Sequence, residues 1–358
     1  MSSSFADFIV LNREERSDIF NAASERLNTR PAYIEKDFWV CVVLDVLFNR
    51  LPSDSARLLF KGGTSLSKGF GLINRFSEDI DIVVFREDLG FGGDEDPTSR
   101  DVSIGTKDRR RRFDALKAAC GNYVRGQLAS ELTRLLETKG CRVANDDSDP
   151  DQQTLLVEYP SVSVTGSSSG YVQPRVKIEC GARSALDPST TINPTAFIQV
   201  ELGDDWDLKA RNVSCIRPER TYWEKLLILH GVHCGFRDGQ RLPGDSNRLS
   251  RHYYDVAMIS VTEIGVAAHK NTTLWDDVRE HHLVAFRQGW KKFEEAKRGS
   301  LRLVPQDAVR VELRRDYEAM QGMIMGDAPA FETMIERLGT IEADLNAAEA
   351  EESYAESS

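Results

Sequence analysis

The sequence predicts a mixed α/β domain to about residue 210 followed by a helical domain. Three observations carry this reading. Short apolar strand-like runs separated by turn residues fill the first half, as in "RLLF", "DIDIVVF", "TLLVEYPSVSV" and "PRVKIEC". A long apolar stretch, "YIEKDFWVCVVLDVLF" (33–48), precedes them and is too short to span a membrane, so it is expected as a buried helix. From Pro218 onward the pattern is helical, with Trp223, Leu226, Leu227 and His230 on one face of "PERTYWEKLLILHGVH". A chain of 358 residues makes two domains the default. The boundaries are placed at 1–210 and 211–345, with an acidic, disordered tail at 346–358.

Taken in order, "RLLF" (57–60) is a short strand. Gly62-Gly63-Thr64-Ser65 follows, with glycine for an unusual turn and hydroxyls suited to a helix N-cap. Residues 65–74 are expected as a short helix, and "DIDIVVF" as the next strand. Residues 86–106 are a loop. Residues 109–139 form a helix with an Arg-rich start and a break near Gly121. "NDDSDPDQQ" is a polar turn, and "TLLVEYPSVSV" and "PRVKIEC" flank a flexible "TGSSSG". "FIQVEL" (197–202) is a further strand candidate. "SRHYYDVAMI" and the charged remainder to about 340 are helical.

Composition excludes several classes. Six cysteines without a C-x-x-C pair, and histidines without zinc spacing, exclude a disulfide frame and a metal knuckle. The N-terminus lacks a basic start and a long apolar run, and no stretch approaches the ~18–20 apolar residues of a span, so a soluble cytoplasmic protein with no membrane contact is expected. A net charge of -11 argues against general DNA coating. A local basic patch, "KDRRRRFDALK", is read either as a solvated helix start or as an RNA-phosphate contact.

The chemistry concentrates in residues 60–85. Asp79 and Asp81, at i and i+2 on a strand, point to one face. They sit among Ile80, Ile82, Val83 and Val84, where a lone charge is costly. Such an oxygen-rich pair suits Mg²⁺, which takes one or two carboxylates plus substrate phosphates; the plainer reading is a solvated strand face. Gly63 allows close backbone approach, and a helix opened by Thr64 and Ser65 would offer free N–H groups to phosphate; the plainer reading is an ordinary strand-to-helix turn. A P-loop is excluded because Lys68 follows Ser67, and a dinucleotide fingerprint because Asn74 stands where a third glycine belongs.

Gly62-Gly63-Thr64-Ser65 followed by "RFSEDIDIVV" resembles the nucleotidyltransferase superfamily that includes DNA polymerase beta. With "IEKDFWV", "PERTYWEKLLILH" and "SRHYYDV" it resembles more closely the AbiEii/AbiGii toxin family, to which the MenT toxins belong, over residues 30–260. The gap from Gly63 to Asp79 is longer than in the wider superfamily, and "CGFRDGQRLPGDSN" enlarges the segment before Arg251. The resemblance implies an α+β nucleotidyltransferase domain with a mixed sheet and a helical domain that completes the active site. Gly62, Gly63, Thr64 and Ser65 would hold nucleotide phosphate, with Lys68 reaching the same phosphates. Asp79 and Asp81 would hold Mg²⁺, with Glu179 as a third carboxylate and Lys177 on the same strand face. Lys225 would contact the triphosphate, and Asp255 would complete the site. The alternatives are a paired surface carboxylate for Glu179, a paired helix lysine for Lys225 and pairing with Arg251 for Asp255. Tyr222–Trp223, Tyr253–Tyr254, His230 and His233 are read as packing.

The resemblance further implies a Mg-dependent toxin of a toxin–antitoxin or abortive phage-infection system. It would move NMP from an NTP to RNA, at the tRNA 3′ end, beside a winged-helix antitoxin of the AbiEi type. The other readings are transfer to a small-molecule or protein hydroxyl, and NTP binding without turnover.

Overall fold

The computed structural model describes residues 4–100, 104–163, 173–239 and 248–355. The chain forms two compact units, Met1–Gly71 with Phe76–Ile216, and Leu72–Arg75 with Arg217–Ser358. "TGSSSG" and residues 240–247 of the enlarged segment lie outside the described residues.

The first unit opens with α1 (Phe5–Ile9), α2 (Arg13–Arg26) and α3 (Pro31–Asn49). Asn12 and Glu15 form a capping box at the start of α2. Pro31 occupies the first turn of α3, where its missing N–H costs nothing. α3 is buried along most of its length, as its all-round apolar character predicts. β1 (Leu58–Lys61) leads into α4 (Gly62–Thr64) and a π-helical turn at Ser65–Gly69, and then β2 (Asp79–Val84). α5 (Thr106–Tyr123) passes Gly121 intact and widens into a π turn at Val124–Leu128 before α6 (Ala129–Glu137). β3 (Arg142–Asn145), β4 (Thr154–Glu158), β5 (Arg175–Gly181), β6 (Ser189–Ile192), α7 (Gln199–Leu202) and β7 (Val213–Ile216) complete the unit.

Among the described residues the strands form one seven-stranded mixed sheet, ordered β3-β4-β5-β2-β1-β7-β6. β2 runs parallel to β5 and antiparallel to β1, and β1 runs parallel to β7. Ile80, Ile82, Val84, Val176 and Ile178 turn one face into a core shared with α3, α5 and α6. Because side chains alternate along a strand, Asp79 and Asp81 occupy the other face. That face becomes apolar beyond Asp81, where Leu59, Val83 and Ile216 cluster.

The expected strand at 197–202 is a correction: Gln199–Leu202 is one helical turn, closed at Gly203 with φ 70°. The Gln199 side chain donates to the Trp206 carbonyl and accepts from Leu208 N–H, fixing a compact turn in place of a ladder.

The second unit contains α8 (Pro218–Arg237), α9 (Ser250–Ile259), α10 (Glu263–Lys270), α11 (Thr272–Ala285), α12 (Asp307–Met320) and α13 (Phe331–Ala355). α8 packs against α9, α10 and α11, and α9 packs against α12 and α13. Tyr222, Trp223, Tyr253 and Tyr254 are core residues. His230 accepts from Arg302 N–H, and burial pushes its pKa down to about 4, so it packs as a neutral ring. The acidic end expected to be disordered from 346 continues α13 to Ala355, in keeping with its Ala- and Glu-rich composition; residues 356–358 lie outside the described residues. Among the described residues no helix is long and apolar enough to cross a membrane.

Candidate active site

The carboxylate face of the first unit is built by register. Asp79 lies beside Lys177, and Asp81 lies between Glu179 on β5 and Lys61 on β1. Residues in register on adjacent strands share a face, so these side chains converge on one surface. Burial raises the pKa of Asp79, with further upward pressure from the Glu179 and Glu78 carboxylates; Lys177 and Lys36 act against it. A site that concentrates carboxylates in this way is one that a cation relieves.

Gly62 explains how Asp81 fits. Its φ is +82°, and an added Cβ would lie 2.0 Å from Asp81 Oδ2. The close approach is therefore at Gly62, where the expectation placed it at Gly63, because Gly62 carries the left-handed backbone. Gly62→Ala is expected to displace the Asp81 carboxylate and lower nucleotidyl transfer about 100-fold, the usual scale for a misplacement of about 1 Å. Wild-type turnover in that variant would show that the approach has no catalytic consequence.

The turn hydroxyls have other tasks than the one expected. The helical turn starts at Gly62 with Lys61 at the cap, so Thr64 and Ser65 are not N-caps. The Thr64 hydroxyl donates to the Asp79 carbonyl and lies 2.9 Å from the Ser77 hydroxyl. The Ser65 hydroxyl donates to the Gly62 carbonyl at 2.9 Å. Both residues are fully buried and join the turn to the head of β2.

Lys68 is a second correction. Its ammonium lies 2.7 Å from Asp37 Oδ1, donates to the Thr195 carbonyl at 2.5 Å and sits over the Phe197 ring. With its side chain 3% exposed, it is committed to the protein interior and not to a phosphate. Glu179, expected as a third metal ligand, forms an ion pair with Lys177 at 2.7 Å. Among the described residues no three His, Cys, Asp or Glu side chains gather into a metal-holding group. Asp79 and Asp81 remain as two hard oxygen donors on one face, which fits a divalent cation that takes its other ligands from water and phosphate. A cavity of about 320 Å³ adjoins Lys177 and Glu179, lined also by Asp146, Asp149, Gln153 and Thr154.

The Arg run at the start of α5 is largely engaged. Arg109 donates to the Ser99 carbonyl at 3.1 Å, and Arg111 and Arg112 both bond Asp108.

Within the second unit, Asp255 is fully buried and held by two cations. Arg75 Nε and Nη2 donate to its two oxygens at 2.7 and 2.8 Å, and Lys225 Nζ lies 2.8 Å from Oδ2. Burial works to raise the Asp255 pKa, but Arg75 and Lys225 outweigh it and hold the carboxyl well below the usual range. The partner is thus Arg75, with Lys225, in place of the Arg251 pairing weighed from the sequence. Sequence reasoning missed Arg75, although it opens the quoted "RFSEDIDIVV".

The family match agrees with the motif reading. Residues 45–337 match the family described as nucleotidyl transferase AbiEii toxin of type IV toxin–antitoxin systems. The chain belongs to this family of nucleotidyltransferase toxins. Among solved structures, MenT4, a nucleotidyltransferase toxin from Mycobacterium tuberculosis H37Rv, aligns with a TM-score of 0.42 at 16% identity, covering 92% of this chain and 99% of that one. No curated protein matches.

Proposed function

We propose that this nucleotidyltransferase toxin transfers NMP from an NTP to an RNA acceptor, the tRNA 3′ end, with Mg²⁺ held by Asp79 and Asp81. The observation that carries the reading is the pair of aspartates on β2, on the sheet face opposite the α3 core, with Asp81 packed against the Gly62 turn. Bound there, a divalent cation supplies charge neutralisation at the α-phosphate. Asp81 accepts the proton of the attacking acceptor hydroxyl as the bond to the α-phosphorus forms and pyrophosphate leaves. With the Thr64 and Ser65 hydroxyls engaged and Ser65 N–H donated to the Gly62 carbonyl, phosphate contacts at the turn fall to the backbone N–H groups of Gly62–Thr64. Lys225, expected at the triphosphate, is paired with the buried Asp255 carboxylate as Lys68 is with Asp37, and Asp255 is assigned to holding Lys225 and Arg75 in place within the helical unit. A cognate AbiEi-type winged-helix antitoxin would neutralise the protein in the cytoplasm.

A small-molecule acceptor is the second reading. The acid-lined cavity beside Lys177 and Glu179 and the locally engaged Arg run favour a cationic one, of the aminoglycoside kind. The experiment offers each α-labelled NTP with Mg²⁺ and, in parallel, total bacterial tRNA or an aminoglycoside. Label on tRNA is expected. Label on the aminoglycoside alone would install the second reading, and label on neither would refute both.

A further inference from the structure

The motif "IEKDFWV" finds no task in the chemistry above, and its three charged residues are unusual. Glu35, Lys36 and Asp37 are consecutive on α3 and only 1, 4 and 2% exposed. Successive helix residues project about 100° apart, so no single solvent-facing stripe could take all three. Burying charge costs several kcal/mol per ion unless geometry and hydrogen bonds compensate. Here each charge has its own partner in a different segment of the first unit.

Lys36 Nζ lies 2.5 Å from Glu78 Oε2, next to Asp79 at the head of β2. Asp37 Oδ1 takes the Lys68 ammonium at 2.7 Å, and its Oδ2 accepts Phe197 N–H at 2.7 Å. Lys68 sits in the π-helical turn that continues the Gly62–Thr64 segment. Glu35 accepts from the Ser161 hydroxyl at 2.6 Å and from Val162 and Ser163 N–H at 2.7 and 3.0 Å, anchoring the chain after β4. The two pairs therefore grip the two elements that flank the carboxylates, the turn carrying Gly62 and the strand carrying Asp79 and Asp81.

We propose that Lys36 and Asp37 are positioning residues for the transfer reaction, Asp37 fixing the turn through Lys68 and Lys36 fixing the start of β2 through Glu78. For the chemistry being positioned, this rests on the nucleotidyl-transfer reading. It goes beyond that reading by assigning Lys68 to α3 and by giving the buried charges of the motif a mechanical role. π turns recur at functional sites, where they hold strained geometry that the surroundings must enforce. A rigid supporting shell of this kind keeps reacting groups within a fraction of an ångström of their working positions.

The test uses two double variants of the full chain, Asp37→Asn/Lys68→Met and Lys36→Met/Glu78→Gln. Each removes both charges of a pair, which avoids stranding one of them. The amide introduced by Asp37→Asn keeps an acceptor for Phe197 N–H. Turnover and NTP KM are measured by labelled transfer, and backbone order by amide hydrogen exchange. The expected result is cooperative melting, kcat lowered about 10- to 100-fold, NTP KM within about threefold of wild type, and faster exchange at 62–69 in the first variant and 76–84 in the second. A rise in KM with kcat intact in Asp37→Asn/Lys68→Met would return Lys68 to phosphate binding and overturn the proposal. So would wild-type turnover and exchange in either variant, or loss of cooperative melting, which would make the pairs a requirement of the whole fold. If wild-type protein transfers no label, the functional reading fails, and exchange alone still decides whether these pairs order the two elements.

Discussion

Asp81→Ala protein is expected to lose nucleotidyl transfer by at least about 10³-fold while melting as wild type does. A metal-held charge at the reacting phosphate is worth several kcal/mol, and each ~1.4 kcal/mol is tenfold in rate. The cost to folding is small for a separate reason. Asp81 shares its face with Asp79 and Glu179, and Asp79 already feels Glu179 and burial as upward pressure on its pKa. Carboxylates gathered in that way repel, so deleting one removes repulsion along with any favourable contact. A change within about 1 kcal/mol is expected by denaturant unfolding. Asp79→Asn should behave likewise in both respects. Growth inhibition by the expressed toxin should vanish with the transfer activity. Persistent toxicity in a folded Asp81→Ala variant would remove the aspartates from the mechanism. Parallel loss of stability and activity would recast them as structural.

The aspartate pair was legible in the sequence because period-2 alternation fixes a strand face without any tertiary information. The long helices were legible for a similar reason: α3 and α8 carry enough apolar residues to declare their burial. β3, β6 and β7 were not legible. Each is a four-residue strand, too short for alternation to stand out from loop composition. The apolar run at 197–202 misled because burial of Ile198 and the Gln199 side-chain bonds serve a turn equally well. At the site, the Lys68 and Arg75 pairings were missed because their partners are distant in sequence. Lys68 is separated from Asp37 by the rest of a helix, a loop and a strand, and Arg75 from Asp255 by half of the chain. A lysine three residues beyond a glycine-rich turn carries the same local signature whether it meets phosphate or a buried aspartate. The register that sets Asp81 beside Glu179 likewise depends on a parallel pairing that no local pattern encodes.

Asp255→Ala is expected to cost the helical unit about 3–5 kcal/mol, the scale for removing one partner of a buried ion pair. The carboxylate is 0% exposed and meets Arg75 through both oxygens and Lys225 through one. Without it, two cations face each other in the interior, and the Lys225 pKa, already lowered chiefly by burial, has lost the carboxylate that holds it up. The sign of the pH dependence follows from the depressed carboxyl pKa. An unfolded aspartate titrates near ~3.9, so the stabilisation from Asp255 is fully present above about pH 4 and is lost as pH falls toward the folded value. The gap between wild type and Asp255→Ala in urea midpoint should therefore be widest at neutral pH and narrow below about pH 4. Asp255→Asn distinguishes charge from shape, since it retains an acceptor for Arg75 but not the negative charge. It is expected to recover only part of the loss at neutral pH. Equal midpoints for wild type and Asp255→Ala at neutral pH would mean that the buried triad contributes nothing to folding, and that Asp255 is retained for the reaction alone.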